Sequence, residues 1–224
     1  MSKNAPFKNI AVIGAGTMGS GIAGQIANSE QEVLLLDIPG KTPNSITEDA
    51  VKKLIRSDPP ALMHKNKANL IKVGNIRDDF NKLANCDLII EAVVERLDIK
   101  KDLYNRINNI VNSKCVITSN TSTIPIKLLV EDMPQSFRER FAITHYFNPV
   151  RFMRLLELVR GEHTKSEIIK KLADYNDRIL GKGVVACNDT PGFLGNRVGV
   201  YALQVGMDEA YKLNLTVEEA DSFM

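Results

Sequence analysis

Ile10-Ala11-Val12-Ile13-Gly14-Ala15-Gly16-Thr17-Met18-Gly19 is the stretch on which the fold turns, an apolar run of strand character that leads straight into Gly-x-Gly-x-x-Gly. A helical pattern follows from Thr17 to Asn28, so the glycines join a strand to a helix. In that setting the first glycine permits a tight turn, the second lets backbone approach a pyrophosphate, and the third lets helix and strand pack closely. The first-turn N–H groups, which have no intrahelical partner, then face the phosphates; Thr17 and Met18 belong to that turn. A second strand, Glu32 to Asp37, ends in a carboxylate at the distance expected for an acceptor of a ribose 2′-hydroxyl. An acid there repels a 2′-phosphate, which favours NAD over NADP, although Lys41 lies close. The bland alternative is a glycine turn that serves packing alone, with Asp37 a solvated strand end.

Outward from this unit, short β-branched runs alternate with helical segments, the pattern of a mostly parallel sheet covered by helices. Further strands are expected at Cys86 to Val93, Cys115 to Thr118, Phe141 to Phe147, Leu155 to Val159 and Gly183 to Cys187. Ile99, Leu103, Ile107 and Ile110 recur at helical spacing, as do Ile168, Leu172, Tyr175 and Ile179, the latter set behind a Thr164/Glu167 capping box. Lys41 to Lys72, rich in Lys and Asn around Pro59 and Pro60, reads as a mostly helical excursion. The fold expected is therefore α/β, a doubly wound Rossmann-type domain over residues 1–188, followed by the start of an α-helical domain over 189–224. Pro191 should open a helix buried on nearly every side, since Phe193, Val198, Val200, Tyr201, Leu203, Val205 and Met207 fall on most of its faces. Thr216 and Glu219 form a second capping box, and this region looks cut off near its beginning.

A chain of 224 residues with 44% apolar content can bury an ordinary core. With 29 basic and 27 acidic residues, the net charge of +2 gives no global field to recruit nucleic acid. Cys86, Cys115 and Cys187 lack metal-ligand spacing and read as small core residues in a reducing compartment; no metal site is expected. No run approaches the ~18 apolar residues of a membrane span, and the default location is cytoplasmic.

The second informative stretch is Thr144-His145-Tyr146-Phe147-Asn148-Pro149, at the end of a strand. Ligands of open α/β sheets gather outside the carboxyl ends of strands, so His145 should project toward the cofactor cleft. Glu157 lies within Leu155-Leu156-Glu157-Leu158-Val159. A carboxylate in an apolar strand is costly to bury unless paired, and an imidazole would be such a partner. The alternatives are a satisfied core histidine and a strand whose Glu157 faces water. His64 and His163, in polar surroundings, receive no role.

These blocks, together with Glu91-Ala92-Val93-Val94-Glu95, Ser119-Asn120-Thr121-Ser122 and Asp189-Thr190-Pro191-Gly192-Phe193 with Asn196-Arg197, resemble the 3-hydroxyacyl-CoA dehydrogenases of fatty-acid β-oxidation, in that family's order. The resemblance implies oxidation of an L-3-hydroxyacyl-CoA with hydride transfer to NAD. His145 would be the general base and Glu157 its support, with Ser122 and Asn196 near the substrate oxygen; the alternatives are a strand-end turn for Ser122 and a helix-packing polar group for Asn196. Gly14, Gly16, Thr17, Met18, Gly19, Asp37, Glu95, Lys100 and Asn120 would lie at the cofactor, although by the residues alone Glu95 and Lys100 could be solvated on a loop and a helix face.

It also implies an acyl-CoA partner and either a homodimer or a complementing C-terminal helical domain, of which only the first part is here. Lys52, Lys53, Lys65 and Lys67 could meet CoA phosphates or form a solvated face. The long spacing from Ser122 to His145, with Pro134 between, is closer to the dehydrogenase portion of longer multifunctional proteins. Two rivals stay open: a related hydroxy-acid or sugar-acid dehydrogenase, and a truncated or split-gene nucleotide-binding protein without turnover.

Overall fold

The computed structural model describes residues 5–223. In chain order the elements are β1 (Ile10–Ile13), α1 (Thr17–Asn28), β2 (Val33–Asp37), α2 (Ser45–Arg56), β3 (Ile71–Asn75), β4 (Leu88–Glu91), α3 (Leu97–Asn108) and β5 (Val116–Ser119). Then come α4 (Ile126–Val130), α5 (Gln135–Arg138), β6 (Phe141–Tyr146), β7 (Leu155–Arg160), α6 (Ser166–Asp174), β8 (Gly183–Cys187), α7 (Gly195–Lys212) and α8 (Val217–Phe223). The eight strands form one sheet in the order β3-β2-β1-β4-β5-β6-β7-β8. All neighbours are parallel except β6 and β7.

Helices cover both faces, so the central strands are apolar at nearly every position instead of alternating. Ile10 and Val12 of β1 belong to one core layer with Ile22 and Ile26 of α1. Ala11 and Ile13 belong to the other, with Tyr104 of α3 and Phe137 of α5. The reversal at β6–β7 places His145 directly opposite Glu157 in register. Paired residues of antiparallel strands project to the same face, so this register brings the two side chains together.

Several expectations need correction. The excursion ends in β3, an edge strand absent from the reading; Lys72 is exposed and Gly74 adds no side chain, so the strand carries little apolar signal. The fourth strand is shorter than Cys86 to Val93, because Ala92 and Val93 already belong to the loop facing Gly14. The Thr164/Glu167 box does not form: the Thr164 hydroxyl accepts from Gly161 N–H and donates to Phe141 O, and Lys165 occupies the cap. The second helical set passes from α6 into a single π turn over Tyr175–Ile179.

Pro191 lies in a turn and the helix begins at Gly195; that helix, expected to be buried on nearly every side, has no buried residue, because no described element covers it. The Thr216/Glu219 box does form, with reciprocal bonds of 2.9 and 3.2 Å. Among the described residues no helix is long and apolar enough to cross a membrane.

Candidate active site

Gly14 takes φ 104, a conformation favouring glycine, and a Cβ there would collide with the Ala92 carbonyl. A Cβ on Gly19 would collide with the Gly14 carbonyl, so the helix approaches the strand end as closely as backbone allows. Gly16 is different: a Cβ there would meet nothing within 4 Å, which leaves open space over the loop. No side chain caps α1 and no acid stands in its first turn, so its leading N–H groups and positive dipole end are available to an anion. This donor set fits a pyrophosphate.

Asp37 is more occupied than the sequence suggested. Its Oδ2 accepts from Ala15 N–H at 2.5 Å and its Oδ1 from Ile38 N–H at 2.6 Å. It therefore also holds the glycine loop, and each oxygen keeps a second lone pair for a hydroxyl. Two clefts meet at Gly16 and Thr17. One, of about 670 Å³, runs past Met18, Asp37, Ile76, Val93 and Ile99. The other, of about 650 Å³, lies between α2 and the segment Asn148–Phe152. His145 lines neither directly; the chain that continues from its strand walls the second.

His145 is 7% exposed and its Nδ1 lies 2.7 Å from Glu157 Oε2. Glu157 is fully buried, and its Oε1 accepts from the N–H groups of Leu194 at 2.9 Å and Gly195 at 2.6 Å, the start of α7. Gly195 allows this seat, since a Cβ there would lie 2.9 Å from the Phe147 ring. Phe147 and Phe193 meet the imidazole edge-on at centroid distances of 4.5 and 5.7 Å. Nε2 makes no hydrogen bond to the described residues and is not sealed from solvent.

The remaining expected residues separate. Ser122 O accepts from Gly192 N–H, which ties its turn to the approach to α7, but neither its hydroxyl nor the Asn196 amide is bonded to His145. Asn120 Oδ1 accepts from Tyr146 N–H at 2.9 Å and so fixes the strand beside His145. Lys100 is 1% exposed, with Nζ 2.6 Å from Glu91 and 3.3 Å from Glu95, and is no solvated helix face. Burial raises the Glu95 carboxyl, but the Thr121 and Thr123 hydroxyls and Lys100 outweigh it and hold Glu95 below the usual range. Of the four excursion lysines, Lys53 lines the second cleft, while Lys52 and Lys67 pair with Asp49 and Glu30. Cys86 and Cys115 are buried thiols that burial pushes up to about 12; Cys187 is half-buried.

Two buried groups escaped the reading of the sequence. Glu91 ends an apolar strand, the same signal that marked Glu157, and is fully buried among four donors. Lys182, 2% exposed, donates to Val150 O and to Met153 O, the latter at 3.0 Å, and so braces the loop that walls the second cleft. Burial pushes its ammonium down to about 8. No composition signal separates that lysine from its solvated neighbours.

Residues 9–190 match the family model described as 3-hydroxyacyl-CoA dehydrogenase, NAD binding domain. The chain is 46% identical over 202 residues to a Rickettsia felis protein described as a fatty acid oxidation complex trifunctional enzyme, covering 89% of this chain and 28% of that one. It is 33% identical over 204 residues to the mitochondrial hydroxyacyl-coenzyme A dehydrogenase of Sus scrofa, covering 88% and 64%. The crystal structure of (S)-3-hydroxybutyryl-CoA dehydrogenase from Ralstonia eutropha matches with a TM-score of 0.80 at 28% identity, covering 95% of this chain and 75% of that one. The chain thus spans less than two thirds of the length of either curated relative. With the strand-turn-helix loop, the sheet and the family model in agreement over most of its length, the chain belongs to the 3-hydroxyacyl-CoA dehydrogenase family and carries that family's NAD-binding domain.

Proposed function

We propose that this chain oxidises the 3-hydroxyl of a 3-hydroxyacyl-CoA thioester with NAD as hydride acceptor, and that His145 is its general base. The carrying observation is the 2.7 Å contact between His145 Nδ1 and Glu157 Oε2 across the β6–β7 register. A carboxylate accepts, so Nδ1 holds the hydrogen and Nε2 presents a lone pair for the hydroxyl proton. As the imidazole takes that proton, Glu157 balances the new charge, and the Leu194 and Gly195 N–H groups keep the carboxylate from turning away.

The loop at Gly14, Gly16 and Gly19, with the N–H groups at Thr17 and Met18, would hold the pyrophosphate of NAD. Asp37 would take one ribose, and Glu95 with Lys100 would stand toward the other half. When bound, NAD supplies the two-electron acceptor for the hydride from C3. Ser122 and Asn196 are assigned to the substrate oxygen, and Lys53, on the second cleft, to a CoA phosphate. The rickettsial relative's description supports a place for this chemistry in fatty-acid oxidation.

The test compares acetoacetyl-CoA with free acetoacetate as oxidants of NADH. Turnover of the thioester alone is expected. Equal or better turnover of the free keto acid would overturn the substrate assignment, and binding of NADH without turnover of either would overturn the enzymatic one.

A further inference from the structure

The corner between β4, α3 and β5 is organised around one carboxylate. Glu91 Oε1 accepts from Lys100 Nζ at 2.6 Å and Val93 N–H at 2.8 Å. Its Oε2 accepts from Tyr104 OH at 2.6 Å and Ser119 Oγ at 2.7 Å. Its backbone carbonyl takes Asn120 N–H at 2.8 Å. Lys100 reaches on to Glu95, whose other oxygen accepts from the Thr121 and Thr123 hydroxyls.

A fully buried carboxylate needs every lone pair directed at a donor, and here the four donors come from α3, β5 and the loop between β4 and α3. The arrangement is more than an ion pair that fills a core, because three of its partners lead outward: Val93 lines the first cleft, Lys100 touches the exposed Glu95, and Ser119 precedes the turn that carries Asn120 and Ser122. Strand order sets the direction. β2, with Asp37 at its end, lies on one side of β1 and the glycine loop, and β4, with Glu91 at its end, lies on the other.

The geometry points to Glu91 as a positioning residue that aims Lys100, Glu95 and the 119–123 turn at the half of the dinucleotide distal to Asp37. This rests on the NAD-binding reading above. Glu91 touches no cofactor itself; it acts through the groups it holds.

The experiment measures dissociation constants of NADH and of AMP by calorimetry for the unaltered chain, Glu91→Gln and Glu91→Asp. The amide keeps the size but loses the charge and one acceptor. The aspartate keeps the charge but withdraws it from the donors of α3. AMP carries only the half expected at Asp37 and reports a folded glycine loop in the same samples. NADH affinity is expected to fall about tenfold in Glu91→Gln, and in the same direction in Glu91→Asp, with AMP affinity within about twofold. Should one variant not fold, the other is read by the same criterion.

Parallel losses of NADH and AMP would reduce Glu91 to a stabilising group, and unchanged NADH binding would remove its role altogether. Failure of the unaltered chain to bind either nucleotide would instead overturn the reading on which this one rests.

Discussion

Two corners of the sheet each bury a carboxylate completely, Glu91 at β4 and Glu157 at β7, and they neutralise it differently. Glu91 faces the Lys100 ammonium, a tyrosine, a serine and one peptide N–H. Glu157 faces an imidazole and two peptide N–H groups at a helix start. The first corner pairs its carboxylate with an ammonium and two hydroxyls, whereas the second pairs it with the imidazole proposed as the base. Lys182 is a third case, a buried ammonium held by carbonyl oxygens and by no carboxylate.

The largest expected effect removes the proposed base. His145→Gln should lower kcat by about 10⁴-fold, the upper range for general base catalysis, with NADH affinity unchanged in a direct titration. Loss of both together would make the histidine structural and erase the contrast. Glu157→Gln should lower kcat by about 10²-fold, because one amide oxygen cannot serve both the imidazole and the peptide N–H groups. Steady-state rates equal to those of the unaltered chain would show that the carboxylate does not assist the base.

Lys182 sharpens the comparison through pH. Its folded-state value of about 8 lies below the ordinary 10.5, so between those values the unfolded chain binds more protons and stability rises with pH. Below pH 8 the burial penalty is present in full. Denaturant unfolding from pH 8 to 10.5 should show a gain on the order of 2 kcal/mol that Lys182→Met abolishes. An identical pH slope in the variant would refute this account. The smallest effect is at the helix seat. Gly195→Ala should push the Phe147 ring and lower kcat by up to about tenfold, while NADH binding is unaffected.

What the sequence disclosed was local. Glycine spacing after an apolar strand located the phosphate loop, and an acid within Leu155-Leu156-Glu157-Leu158-Val159 announced a buried partner. The corner at Glu91 stayed hidden although it carried the same mark, because Ser119 reaches it from 28 residues away and only the parallel β4–β5 pairing brings it there. β3 escaped because an edge strand with an exposed lysine and a glycine has almost no periodicity. Thr164 misled because its hydroxyl found a strand carbonyl in place of a helix N–H. The apolar residues of α7 pointed to burial on nearly every side and the structure buries none of them, because no pattern within a helix specifies what packs on it.

The seat of α7 has a mechanical side. The peptide N–H groups of Leu194, just before it, and of Gly195, its first residue, end on the carboxylate that meets the imidazole, while no residue of the helix is buried. A helix fastened at its short end to that carboxylate is coupled to the imidazole through one side chain, Glu157, so a tilt of its long end bears first on the 2.7 Å contact with His145.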